Sequence, residues 1–270
     1  MPVMVDNNNL GNGILASNKA QDANVLPMFY NSPEAVSLER HGKTGLVPGA
    51  GFGFAASAMV IPLMAPEMPA AMRSYPIVFS GPDFMPMMVT GVRDGENLFV
   101  DAKGNWAEPH YVPAYVRRYP FILAGDETDE RLALCVENDP ARVVSLNAKT
   151  RKTARPFFEE NEQGETIRNA LSFCEQYQGM FIKTRQIMKV IADSGLLAER
   201  TGKLTLADGQ SFNITGFHLV DEAKLLSMSD EDFIKLRKAD ALAVIYCHLA
   251  SMNSWNALLY QARFRIAEAA

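Results

Sequence analysis

Residues 166–195 read TIRNALSFCEQYQGMFIKTRQIMKVIADSG, and they decide the fold because the hydrophobic period changes where they begin. Ile167, Leu171, Cys174, Phe181, Met188 and Ile191 are spaced 4, 3, 7, 7 and 3 apart, which lays them on one face of a long amphipathic helix. Ser194-Gly195 ends it, since glycine takes the left-handed conformation that closes a helix. Upstream, from Val36 to Glu137, the chain instead carries short apolar runs broken by Gly, Pro and Asp, among them YPIVFSG (75–81), NLFVD (97–101), YPFILAG (119–125) and RLALCVE (131–137). That punctuation predicts a mainly antiparallel sheet of short strands. Prolines at 62, 76, 82 and 86 limit its ladders, and Ala65–Tyr75 predicts a short helix between strands. Downstream, KLTLADGQSFNITGF (203–217) predicts a β-hairpin turning at Asp208-Gly209. Ser229 with Asp232 predicts a capped helix start, and a last helix is expected from about Ala241 to Ile266. The fold class is therefore α+β: a strand-rich N-terminal half, a long helix, a hairpin and a C-terminal helical segment.

Domain organisation follows the same text. Residues 1–26, rich in Asn, Gly, Ala and Asp without periodicity, predict a flexible leader. Residues 27–270 are expected to form a single domain, strand-rich over 28–137, helix-rich over 166–270, with a solvated linker at 138–165. The linker reading rests on segregated charge: Lys149, Arg151, Lys152 and Arg155 are followed by Glu159, Glu160, Glu162 and Glu165.

Composition narrows the function classes. The chain has 270 residues, 48% hydrophobic and 21% charged, enough for a real core. Its net charge of -5, from 26 basic and 31 acidic residues, argues against nucleic acid and anionic membrane as partners. No signal peptide and no stretch of 18 uncharged apolar residues is legible, so a cytoplasmic location is expected, with the cell surface reachable only by a signal-independent route.

Assembled chemistry is not apparent. Cys135, Cys174 and Cys247 lie far apart among apolar neighbours and read as buried reduced thiols. His41, His110, His218 and His248 show no metal-ligand spacing. Gly49-Ala50-Gly51-Phe52-Gly53 lacks the Lys-Ser/Thr ending of a phosphate loop, and no GxSxG is present. Neither a catalytic residue, a metal nor a cofactor is assigned.

The side chains best suited to recognition are Arg93, Trp106, His110, Tyr111, Tyr115, Arg117, Arg118 and Tyr119, in and just before Gly95–Leu123. Tyrosine and tryptophan offer apolar area with a polar tip, and arginine offers a fork for carboxylate or phosphate. Two readings stay open: a pocket for a small anionic or aromatic ligand or a protein partner, or rings filling the core while the arginines pair with acids such as Asp94 or Asp101. The closing helix adds a stripe of Leu242, Ile245, Leu249, Met252, Asn256 and Leu259, which serves equally as a core face or as a homodimer seam with Asn256 setting register.

A resemblance lies in ERHG (39–42), FAA (54–56), YPIVF (75–79), GENLFVDAKGNW (95–106), YVPAYVRRYPFIL (111–123), LSFCEQYQ (171–178), GFHLVDEAKL (216–225) and IYCHLASMNSW (245–255). Collinear over most of the folded part, they resemble the SapC family of bacterial proteins, distinct from the transporter permeases of that name. The resemblance implies association with a surface layer or the envelope, or with loci for TonB-dependent receptors and flavin halogenase-like proteins. It implies no reaction and carries over no site residues. The expectations are envelope-associated assembly, a cytoplasmic small-molecule or peptide-binding accessory protein, or an undescribed enzyme.

Overall fold

The computed structural model describes residues 26–124, 132–205 and 211–269. The leader and the Asp208-Gly209 turn fall outside these residues, apart from Leu26. In chain order the first elements are β1 (Glu34–Ala35), α1 (Leu38–His41), β2 (Thr44–Leu46), β3 (Val60–Pro62), α2 (Met68–Ala71), β4 (Ile77–Ser80) and β5 (Met85–Val89). Then come α3 (Ala114–Arg117), β6 (Phe121–Ala124), β7 (Ala133–Val136), β8 (Val143–Ser145), β9 (Arg155–Pro156), β10 (Phe158–Glu159) and β11 (Glu162–Gln163). The chain continues with α4 (Glu165–Asp193), β12 (Leu197–Thr205), β13 (Ser211–Val220), α5 (Glu222–Leu226), α6 (Asp230–Lys238), α7 (Ala241–Ser251) and α8 (Ser254–Ala269). This is an α+β protein with antiparallel pairing throughout. No helix among the described residues is long and apolar enough to cross a membrane.

The described residues divide into two compact units. The first takes residues 26–51 and 116–179. It holds the three-stranded sheets β1-β7-β6 and β8-β2-β9 and the hairpin β10-β11. Its core gathers Phe121, Leu134, Val136, Phe157, Ile167 and Cys174, so the first turns of α4 seal strands that lie far away in sequence. Residues 138–165, expected as a linker, are folded here. β8 and β9 bracket β2, with Gly45 opposite both Val144 and Pro156. A Cβ on Gly45 would come within 2.9 Å of Arg155 O and 2.7 Å of Leu146 Cδ2, so only glycine fits between them.

The second unit takes residues 52–115 and 180–269. Its five-stranded sheet runs β12-β13-β4-β5-β3. Every residue of β4 and β5 is buried, as expected of central strands covered on both faces. Helix α7 is tied to the sheet through Ser251, whose Oγ accepts from Ile77 N–H at 3.0 Å.

The α4 periodicity is realised. Ile167, Cys174, Phe181, Met188 and Ile191 are buried, Leu171 is half-buried against the core of the first unit, and buried Tyr177 and Ile187 join the face; Gly195 sits at φ +70 beyond the last turn. The Ser229 cap is also present, its Oγ accepting from Asp232 N–H at 3.2 Å.

The closing helix differs from expectation: it is broken at Met252-Asn253 into α7 and α8. Serine competes with the helical ladder for backbone partners. Ser251 Oγ donates to His248 O at 2.6 Å, and Ser254 Oγ donates to Met72 O at 3.1 Å. The stripe consequently does not run along one helix, and Ile245 is fully buried within the unit.

Candidate functional site

The eight recognition candidates divide between the two units. In the second unit, a loop closes on the Val100–Trp106 bridge. Asp101 Oδ1 accepts from Lys103 N–H and Asn105 N–H, both at 2.8 Å, and Gly104 takes φ +80. The loop is thus a tight aspartate-held turn closed by a single antiparallel bridge. Trp106 Nε1–H donates to Tyr75 OH at 3.0 Å, and Tyr75 OH donates to Tyr111 O at 2.8 Å. The Phe99 ring stacks edge-on against Tyr75 at 4.5 Å and against His110 at 5.0 Å. Burial pushes the Tyr75 phenol well above its ordinary range. His110 Nδ1 lies 2.9 Å from Ser74 Oγ, and partial burial holds its pKa down.

Glu67, a buried carboxylate, organises the next few residues. It accepts from Met64 N–H at 2.9 Å, Tyr111 OH at 2.8 Å and Ala114 N–H at 2.6 Å. Tyr115 is itself fully buried. Arg93 pairs with Glu96 at 2.8 Å, through a second contact as well.

In the first unit, Arg118 is only 4% exposed. Its guanidinium lies 4.4 Å from the centre of the Tyr177 ring and 5.7 Å from that of Tyr30. Tyr119 packs against Phe29, Tyr30 and the Arg142 guanidinium. Burial, with the nearby Asp139 and Glu137 carboxylates, pushes its phenol up. Arg117 covers the Phe173 ring at 5.3 Å. Burial pushes the Cys174 thiol up to about 11 despite Arg118 nearby, an inert thiol rather than an activated one.

The histidines and thiols follow the same pattern. His248 Nδ1 meets Ile77 O at 2.7 Å while Nε2 accepts from Val220 N–H at 3.1 Å, which requires a neutral ring with its proton on Nδ1. Desolvation takes its pKa down to about 4. Cys135 and Cys247 are buried and their thiols are pushed up. Among the described residues no group of three or more His, Cys, Asp or Glu is placed to hold a metal.

An open cleft of about 390 Å³ lies in the first unit, in the stretch expected to be a linker. Leu38, Gly42, Leu146, Ala154, Pro156 and Phe158 give it an apolar lining; Arg151, Glu159, Glu160 and Asn161 complete it. Local chemistry places each part. Ser37 caps α1, its Oγ accepting from Arg40 N–H. Asn147 Oδ1 accepts from Lys149 N–H at 2.9 Å and Thr150 N–H at 3.0 Å. Thr150 Oγ1 donates to Ser145 O at 2.7 Å, which fixes the 3₁₀ turn Thr150–Lys152 that carries Arg151.

The hairpin β10-β11 also lines the cleft, and it breaks two local rules. Its two turn residues, Glu160 and Asn161, stand at φ +50 and +68. Such a turn favours Asn-Gly and penalises glutamate. Glu159 also pairs directly with Glu162, and like charges opposite one another on a hairpin repel. The basic-then-acidic run at 149–165 was the sequence signal for this region. It registers as charge segregation, whereas the apolar lining residues are scattered over 38–158.

No curated protein and no solved structure matches this chain. The SapC family model matches residues 36–258. That span includes every residue lining the cleft and every recognition candidate from Arg93 to Tyr119. With most of its length matched in this way, the chain belongs to the SapC family.

Proposed function

We propose that this SapC-family chain is a binding protein whose ligand seats in the cleft of the first unit. The observation that carries the reading is the cleft itself: apolar side chains beside a cation and carboxylates on one lining, at a volume within the range of small-molecule sites, roughly 300–1,000 Å³. The lining chemistry describes the ligand. Arg151 suits a carboxylate, the Glu159 and Glu160 carboxylates suit an ammonium or other donor, and Leu38, Leu146 and Phe158 suit an apolar body. A small zwitterion with an apolar side chain satisfies all three. The strained, self-repelling hairpin supports the same reading, because sequences retain local conflicts of this kind where function requires the groups involved.

Thermal stabilisation with free phenylalanine, leucine and alanine as probes tests the proposal. Phenylalanine and leucine should raise the melting temperature and alanine should not. Capping either end of phenylalanine, as the amide or the N-acetyl derivative, should remove the effect. Arg151→Ala should abolish the shift while leaving the unliganded melting temperature unchanged. A shift that survives Arg151→Ala, or equal response to alanine, would overturn the assignment.

A further inference from the structure

Several exposed charges of this molecule pair with an opposite charge nearby: Arg40 with Glu34, Arg185 with Asp83, Lys183 with Asp240, and Lys235 with Glu231 and Asp232. One stretch of the first unit does the reverse. The bases Lys149, Arg151, Lys152 and Arg155 come first, the acids Glu159, Glu160, Glu162 and Glu165 follow, and all eight are exposed. None of them belongs to an ion pair among the described residues. The backbone holds the two sets apart. The bases stand on and around the Thr150–Lys152 turn and on β9, the acids on the β10-β11 hairpin and the start of α4. Between them Phe157 is fully buried; its N–H donates to Thr44 O at 2.9 Å and its carbonyl accepts from Gly164 N–H at 2.8 Å. Both lobes are therefore anchored to the body of the unit. They also share a face, because Arg151 from one and Glu159 and Glu160 from the other line the same cleft. Gathering like charges in this way raises the local self-repulsion of each lobe, which opposite charge from outside would relieve.

We infer that this face docks on the same face of a second copy of the chain, basic lobe on acidic lobe. The charge pattern selects the occupant. Four bases and four acids sum to zero over residues 149–165, so a polyanion attracted by the first lobe is repelled by the second, and a polycation the reverse. A fitting partner must itself carry both signs, side by side, at the same separation. A second copy does. Rotation by 180° about an axis that lies in the face, between the lobes, sets the basic lobe over the acidic lobe of the copy, and the same operation sets the acidic lobe over its basic one. The contact is isologous and closes at two chains. Arg151, Glu159 and Glu160 line the cleft, so the docking contact falls to the charges beyond that lining: Lys149, Lys152 and Arg155 against Glu162 and Glu165. It does not depend on which ligand the cleft takes.

Sedimentation velocity on the full chain, across a concentration series at low and at high salt, tests this. The wild type should dimerise at low salt and dissociate more readily at high salt. One variant carries Lys149→Glu, Lys152→Glu and Arg155→Glu, which makes the contact charges of both lobes acidic; another carries Glu162→Lys and Glu165→Lys, which makes them basic. Alone, each should dimerise about tenfold or more weakly than the wild type. Mixed in equal amounts they should associate again, as a heterodimer, because acidic contacts then meet basic ones in both halves. All five positions are exposed, and circular dichroism checks that each variant keeps its fold. A wild type that stays monomeric, a dimer indifferent to either set of reversals, or a mixture that fails to associate would overturn the inference. Dimerisation through the α7–α8 stripe is the indifferent outcome.

Discussion

Residues 95–123 and residues 147–163 present opposite cases. The first is crowded with aromatic rings and arginines, the side chains that dominate recognition surfaces. The folded units use most of them: Trp106 on Tyr75, Tyr111 on Glu67, and Arg118 among Tyr177 and Tyr30. The second is polar and poor in aromatics, yet it supplies most of the lining of an open cleft. Side-chain type states what a residue can recognise; burial decides whether it is available to do so. Arg118 and Arg151 make the comparison sharpest, one enclosed at 4% exposure and the other on the cleft.

The largest expected effect breaks the first region. Arg118→Ala removes the guanidinium from the Tyr177 ring together with the buried stem packed there, and should cost about 4 kcal/mol in denaturant unfolding. Retention of wild-type stability would mean that Arg118 is not part of the packing.

The contrast extends to His248, whose two ring nitrogens are both engaged with backbone. Its folded pKa of about 4 lies below the unfolded value of 6.5. Between those values the unfolded chain takes up a proton that the folded chain excludes. The contribution is therefore complete above pH 6.5 and is lost as pH falls through 6.5 towards 4, by about 3 kcal/mol in all. Urea denaturation at steps from pH 7 to pH 4 should show this fall, and His248→Gln should show a shallower one. Equal slopes would contradict the assignment.

A smaller effect sharpens the second region. Glu160→Asn with Asn161→Gly replaces a disfavoured turn with the one the hairpin geometry prefers, and should stabilise the chain by about 1 kcal/mol. If the rim carboxylates serve binding, that gain comes with weaker ligand response. The smallest change is that of Arg151→Ala, expected to stay within about 0.5 kcal/mol of the wild type, because its role lies in binding and not in folding.

Legibility from sequence followed the length of the elements. The 29-residue α4 repeats its apolar face often enough to be read directly, and Gly195 and Ser229 mark ends whose chemistry is local. β8, β9, β10 and β11 are two or three residues long. Strands so short carry no period, and what holds β8 and β9 is pairing with β2 about a hundred residues away. The break between α7 and α8 escaped for a related reason: the heptad spacing runs through Met252, while the serines that divert the chain bond to residues near 72 and 77. For the site, the rings and arginines of 93–119 were legible as chemistry, with core packing left open beside recognition; the structure buries Trp106, Tyr115, Arg118 and Tyr119 and leaves Arg117 exposed. The cleft was invisible because its lining joins Leu38, Leu146 and Phe158 across the chain.

Amide chemical-shift mapping during titration with phenylalanine reports which of the two regions meets the ligand. Saturable shifts are expected, confined to residues around Leu38–Leu46 and Leu146–Asn161 and abolished by Arg151→Ala. Saturable shifts centred instead on Trp106–Tyr119, with the cleft residues unmoved, would contradict binding in the cleft.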